Sequence, residues 1–301
     1  MVEKSNPELI PYLSTCKSPQ MMLGAVITNY FAATAGVTPD KLVSVSVMPC
    51  VRKQGEADRP WFATTGVARD VQHVITTVEL AKALQEQGID PETLAEEEFD
   101  SPLGVGSGGG QLFGTTGGVM EAALRTVAEL VTGKPMEKVV YEEVRGLEGV
   151  REATVSLAPG KESPFYGLLM PGGVDASSAD APPPPPLEVK VAVCNGLGSA
   201  KKYIKEMSEG KRDASFVEVM ACPGGCISGG GQPRSADKNI ASVRQSALYA
   251  IDEKMQLRRP HDNPFIQELY RSYLEGRPGS HKAHELLHTH YVAGGVDDAK
   301  E

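Results

Sequence analysis

Residues 216–234, FVEVMACPGGCISGGGQPR, hold Cys222 and Cys226 around Pro223-Gly224-Gly225, and Gly229, Gly230 and Gly231 follow at once. Two thiolates on one tight loop can grip a single soft-metal centre, because thiolate sulfur suits iron-sulfur chemistry. Glycines at these offsets let the backbone approach a bulky cluster and aim N–H groups at it. The competing reading is a pair of buried structural thiols beside a flexible turn. A second segment, MPCVRKQGE at 48–56, puts Met48 two residues before Cys50, as Met220 stands two before Cys222. If the chain turns helical after Pro49, Lys53 falls one turn beyond Cys50, where its ammonium could neutralise an anionic centre. Taken alone, Lys53 reads as a solvated surface cation.

Elements of both periods must position these cysteines. Ser18-Pro19 before an apolar repeat closed by Gly36 predicts a helix over 18–35. Alternation over 41–47 predicts a strand that delivers Cys50 at its end. Helical periodicity covers 71–87 and 118–131, strands are expected over 138–144 and 151–157, and 104–118 reads as glycine-rich loop. Residues 159–186, ending in five consecutive prolines, read as an exposed insertion. A strand over 188–193, a helix over 198–208 and a strand over 215–219 then lead into the Cys222 loop, and a long helix over 235–256 follows. The tail, 264–290, holds two short helices. The expected fold class is α/β, with two mixed-sheet lobes flanked by helices and a metal cluster between them. The first lobe spans 1–158, the insertion 159–186, the second lobe 187–259 and a C-terminal helical segment 260–301.

Composition narrows the functions. The chain has 301 residues, 41% of them hydrophobic, and a net charge of -9, so it can build a globular core and carries no global positive field for nucleic acid or anionic lipid. No apolar run reaches the roughly 18 to 20 residues of a membrane span. Five cysteines are too few and too uneven for a disulfide scaffold. Residues 1–17 lack the basic and apolar pattern of a signal peptide. Cys194, ending the run EVKVAVC, reads as a small buried hydrophobe. His281, His284 and His288 share a helix face at a spacing that could chelate zinc, and a packed cluster is the plainer reading.

Together the two cysteine segments resemble the [FeFe]-hydrogenases, whose second and third motifs read MPCxxKxxE and ExMACxxGCxxGGGQP; here they stand as MPCVRKQGE at 48–56 and EVMACPGGCISGGGQP at 218–233. Flanking stretches such as STCKSPQMMLGA, VAVCNGLGSAKK and SHKAHELLHTHYVAGGV are similar to the compact green-algal members. The resemblance implies reversible reduction of protons to dihydrogen. By it, Cys50 and Cys222 ligate a 4Fe4S cubane, and Cys226 bridges the cubane to a diiron subcluster with CO, cyanide and azadithiolate ligands. Lys53 would then bond a cyanide, Gln20 and the Pro19 backbone would help hold ligands, and Met48, Met220, Phe113 and Gly114 would stand against the diiron unit. Ser14 matches the family's proton-relay serine. An acidic ferredoxin is implied as electron donor, with Lys201 and Lys202, then Lys211 and Arg212, as candidate docking cations. Maturation proteins that deliver the diiron unit and a chloroplast stromal location are implied as well.

The family's first motif, two adjacent cysteines supplying a cubane ligand and a relay thiol, does not occur in the sequence. The expectation is therefore an N-terminally truncated chain, catalytically incompetent as it stands, with Cys16 at a position that is no ligand in the family. The alternative is a Narf-like iron-sulfur assembly or scaffold protein, which keeps the cubane cysteines without hydrogen chemistry, and a hydrogen sensor would carry the same motifs. Met48, Lys53, Glu56 and Met220 around the diiron position favour the enzyme.

Overall fold

The computed structural model describes residues 1–135, 140–170 and 182–295. In chain order come α1 (Val2–Ser5), α2 (Pro19–Val26), α3 (Ala32–Ala35), β1 (Val45–Met48), α4 (Lys53–Ala57), β2 (His73–Thr76) and α5 (Thr77–Glu86). Then follow α6 (Gly108–Gln111), α7 (Gly118–Thr132), β3 (Val150–Leu157), α8 (Tyr166–Leu169), β4 (Leu187–Asn195), α9 (Leu197–Ser208), β5 (Phe216–Met220), α10 (Ile240–Lys254), α11 (Pro264–Ser272) and α12 (His281–Leu287). They form two units, Met1–Gly104 together with the chain from Pro264, and Val105–Asn263.

In the first unit, Ser18 caps α2 by accepting the Met21 N–H at 3.4 Å, with Pro19 in the first turn, as its sequence predicts. The helix runs on through one π-helical turn, Ile27–Phe31, into α3 and stops at Gly36, φ +65°. The widened turn coincides with Thr28, fully buried, whose hydroxyl bonds the Gly24 carbonyl and Asp70, and with Asn29, which bonds the Ala25 carbonyl and Thr64. α2 packs Met21 against Ala57, Phe62 and Val71, and Val26 against Leu274, Ala283 and Leu286. The expected strand over 41–47 is shorter, Val45–Met48, and pairs in parallel with β2. β2 takes the first part of what periodicity assigned to a helix over 71–87. His73–Thr76 carries three β-branched residues that fit a strand, and the helix starts only after Thr76, which forms a reciprocal capping box with Glu79.

The second unit is built on a mixed sheet ordered β3-β4-β5, antiparallel then parallel. β4 is buried on both faces: Val191 and Val193 meet the α7 cluster of Met120 and Leu124, while Ala192 and Cys194 meet Ala200 and Tyr203 of α9. That explains its unbroken apolar run. β3, read from sequence as the end of the first lobe, is the antiparallel partner of β4, so the units divide at Gly104 and Asn263 rather than at 158. Of the proposed insertion, residues 171–181 lie outside the described residues. Its earlier part is packed, with Tyr166 buried and the Ser163 hydroxyl donating to the Leu130 carbonyl at 2.6 Å. Of the strand expected over 138–144, residues 138 and 139 lie outside the described residues, and Glu142–Val144 is a 3-10 turn. Within the expected glycine loop, Gly108–Gln111 is a turn of helix and Leu112–Gly114 a 3-10 turn. The long C-terminal helix of this unit starts at Ile240 rather than 235. Buried Arg125 ties α7 to α10 through both oxygens of Asp252 at 2.7 and 2.8 Å.

Candidate metal centre

β5 runs straight into the cysteine loop. Gly224 and Gly225 both sit at φ +90°, a conformation that side chains with a Cβ rarely adopt. A Cβ on Gly225 would stand 2.7 Å from the Thr116 nitrogen and 3.1 Å from the Gly114 carbonyl oxygen, so the loop lies directly on the Phe113–Gly114 turn. The Thr116 N–H donates to the Gly224 carbonyl at 3.2 Å. Asn195, at the end of β4, accepts the Gly224 N–H at 2.6 Å and donates to the Leu147 carbonyl at 2.8 Å. Arg244 of α10 grips the far side, donating to the carbonyls of Ile227 and Pro233, each at 2.8 Å. Cys222, Cys226, Met220 and Phe113 are all half-buried.

Glu218, buried on β5, accepts the N–H groups of Gly117 at 2.6 Å and Met120 at 2.8 Å, which fastens the strand before Cys222 to the start of α7. Burial pushes its carboxyl above the ordinary carboxylate range, against the pull of those two donors and of Arg151. Asn195, Arg244 and the bracing role of Glu218 were not read from the sequence. Glu218 stands inside the quoted motif, whereas Asn195 and Arg244 act through partners 29 and 17 residues away.

In the first unit, a cavity of about 350 Å³ is lined by Cys16, Ser18, Cys50, Arg52, Lys53, Glu56, Arg59, Phe62, Thr289 and Tyr291. Cys50 sits two residues past β1, half-buried, and its sulfur accepts the Arg52 N–H at 3.4 Å. Lys53 opens α4 and reaches the same cavity, where its ammonium pairs with Glu56 at 2.7 Å. Two of its three N–H donors remain for another acceptor. Gln20 is buried, donates to the Lys53 carbonyl at 3.2 Å, and leaves its Oε1 without a partner. Pro19 is exposed and Met48 half-buried. Ser14 is exposed and stands outside the cavity wall, two residues before Cys16, which belongs to it.

Cys194 is fully buried and burial pushes its thiol up to about 11, as befits a core residue. His284 and His288 stack at 4.0 Å between ring centroids, and His288 Nδ1 bonds the Thr15 hydroxyl at 2.8 Å. Burial, then His284, lowers the pKa of His288. The expected shared helix face is not formed: α12 ends at Leu287, His288 follows in extended backbone and stacks on the exposed His284, and His281 is exposed. Glu129, His261 and Asp262 converge as well, and Arg259 donates to both carboxylates at 2.8 and 2.5 Å, offsetting one of their two negative charges.

In the second unit two thiols on a glycine cradle closed to any Cβ, and in the first unit a thiol in a cavity beside uncommitted ammonium N–H donors, are each the kind of donor set an iron-sulfur centre takes. Residues 1–230 match the family model described as iron only hydrogenase large subunit, C-terminal domain, and residues 238–294 match that of iron hydrogenase small subunit. The chain belongs to the iron-only hydrogenase family. It is 43% identical over 290 residues to the NADP-reducing hydrogenase subunit HndD of Solidesulfovibrio fructosivorans, covering 96% of this chain and 44% of that protein. Against iron hydrogenase 1 of Clostridium pasteurianum it is 38% identical over 294 residues, covering 96% of this chain and 46% of that one. The chain therefore spans under half the length of these curated relatives. A solved structure of an HydA1 [FeFe]-hydrogenase variant from Chlamydomonas reinhardtii superposes with a TM-score of 0.82 at 54% identity, covering 98% of this chain and 74% of that one. Cytosolic iron-sulfur assembly component 3 of Mus musculus is also similar, at 31% identity over 95% of this chain and 55% of that protein. Among the described residues no helix is long and apolar enough to cross a membrane.

Proposed function

We propose that this protein is a hydrogenase that interconverts protons and electrons with dihydrogen, and that Cys50, Cys222 and Cys226 bind its iron-sulfur centre. The observation that carries this reading is the Cys222–Cys226 loop, whose Gly225 lies too close to Thr116 for any side chain. Such a cubane with a diiron unit carrying CO, cyanide and azadithiolate ligands would be held by these cysteines, with Cys226 between the two parts, and would supply exchangeable electrons, a site for hydrogen and an amine base. The chain does the rest. Cys50 and Cys222 hold the cubane as thiolates, with a further donor outside these three cysteines at the fourth position. Lys53 offers its free N–H donors to a cyanide, and Pro19 and Gln20 support the neighbouring ligands. Met48, Met220 and Phe113 exclude water, and Gly114 stands with Phe113 against the diiron unit. Ser14 relays the proton.

For electrons we propose a small acidic ferredoxin docking at the start of α9, and for assembly the maturation proteins that deliver the diiron unit, in the chloroplast stroma. Of the four candidate cations, Lys202 pairs with Glu206 at 3.9 Å, Lys211 with Glu209 at 2.6 Å, and Arg212 with Glu206 at 3.0 Å. Among the described residues Lys201 takes part in none of these pairs, which makes it the leading docking charge. Matured anaerobically with the cofactor-building enzymes, the full-length protein is expected to evolve hydrogen from reduced ferredoxin. Reversing the charge of Lys201 and Lys202 should raise the Michaelis constant for ferredoxin in a salt-dependent way and spare a small artificial donor. Equal losses with both donors would refute the docking site, and no hydrogen with either would refute the activity.

A further inference from the structure

Ser14 is held by a segment 277 residues further along the chain. Residues 287–291 run beside 14–17: the Lys17 N–H donates to the Leu287 carbonyl at 2.9 Å and the Thr289 N–H to the Thr15 carbonyl at 2.7 Å, around an antiparallel bridge between Cys16 and His288. The Trp61 indole N–H fixes Thr289 through its hydroxyl at 3.0 Å. At the end of this strap the Tyr291 hydroxyl donates to the Ser14 carbonyl at 3.0 Å. Tyr291 lines the cavity that holds Cys50 and Lys53.

That bond orients more than a carbonyl. The Ser14 C=O and the Thr15 N–H share one rigid peptide plane. Fixing that plane fixes the backbone turn that carries the Cys16 N–H back to the Ser14 Oγ at 3.3 Å. The Ser14 oxygen is thereby held in place with one lone pair engaged, and it keeps its proton and its second lone pair. A relay hydroxyl needs those two, one to hand a proton on and one to receive the next. Burial raises the pKa of the Tyr291 phenol, ahead of the opposing influence of Arg59, so the donor stays protonated.

We propose that Tyr291 is a positioning residue for proton transfer: bonded to the Ser14 carbonyl, its phenol holds the Ser14 hydroxyl in the orientation the relay requires. This rests on the reading of Ser14 as the relay serine. Two measurements test it, the first on the chain without its cluster. Ser14-Thr15 is the only Ser-Thr step in the sequence, so carbonyl-13C serine combined with 15N threonine gives one carbonyl-amide correlation. Tyr291→Phe, which keeps the ring, should shift that carbonyl resonance; an unmoved resonance overturns the inference. In the matured enzyme, losing one neutral hydrogen bond should slow turnover about three- to tenfold and leave the infrared bands of CO and cyanide unchanged. In a Ser14→Ala background the same substitution should cost nothing further, because its effect passes through Ser14. Losses that multiply, or a Tyr291→Phe enzyme as fast as the parent, overturn the inference while the relay reading stands. A Ser14→Ala enzyme of full speed removes the relay reading, and the inference with it.

Discussion

Cys50 and the Cys222–Cys226 pair are positioned in opposite ways. Around Cys226 the geometry is made by backbone: two glycines at φ +90°, a peptide of the Thr116 turn at contact distance, and caps from Asn195 and Arg244. Around Cys50 it is made by charge: Arg52, Lys53, Glu56 and Arg59 share one cavity, with Glu3 reaching in to bind Arg59 through two bonds of 2.9 and 2.6 Å. A backbone site fails abruptly when a single atom is added, whereas a site built from charged side chains degrades by degrees and responds to pH.

The sharpest way to break this contrast is to add one methyl group on each side. Gly225→Ala would force a Cβ to within 2.7 Å of the Thr116 nitrogen at a φ that disfavours it, which should destabilise the second unit by about 3 kcal/mol or more and abolish cluster retention, read by iron content and thermal melting. Gly55→Ala, on an exposed position of α4 with nothing within 4 Å of the added carbon, should instead stabilise by about 0.5 to 1 kcal/mol, because the unfolded chain loses freedom. Equal outcomes would show that the two regions are not built differently. Next in size is Lys53→Ala. Losing a charge-assisted donor toward a buried anionic ligand costs about 1.5 to 3 kcal/mol, so diiron occupancy measured by infrared should fall while cubane absorbance persists. Unchanged occupancy and activity would remove Lys53 from the site.

The smallest effect concerns Glu3, whose pKa is lowered chiefly by its hydrogen bond to Arg59, with the Val292 N–H adding to it. A carboxyl depressed in the folded state contributes stability above its unfolded pKa and loses it as pH falls through the folded value. Acid melting should therefore begin to weaken the first unit below the ordinary glutamate range. Glu3→Gln should lower stability at pH 7 by on the order of 1 kcal/mol and flatten that dependence. A variant whose stability tracks the parent from pH 7 down to pH 3 would contradict it.

The backbone-built half was the more legible in sequence. Glycine spacing exposed the Cys222 loop, and the runs forming β4, α9 and β5 preceded it in an order that specifies a strand-helix-strand unit. What sequence could not supply were the long-range partners. β2 was hidden because the β-branched stretch His73–Thr76 flows into a helix of similar apolar period, and its partner β1 begins 28 positions earlier. Asn195 and Arg244 are ordinary polar residues until the fold brings Gly224 and Ile227 to them. The strap at 287–291 read as a histidine-rich tail because its role lies in bonds to residues 14–17 and 61.

On the proposed reading these cysteines hold a hydrogen-converting centre rather than a plain iron-sulfur cluster in transit. Infrared spectroscopy of the full-length protein, matured with the cofactor-building enzymes, tests it most directly. Bands from iron-bound CO and cyanide are expected, and they should disappear in Cys226→Ala while the Cys50 and Cys222 thiolates still hold iron. An assembled cubane with no CO or cyanide bands in the unaltered protein would contradict it and favour the iron-sulfur assembly reading.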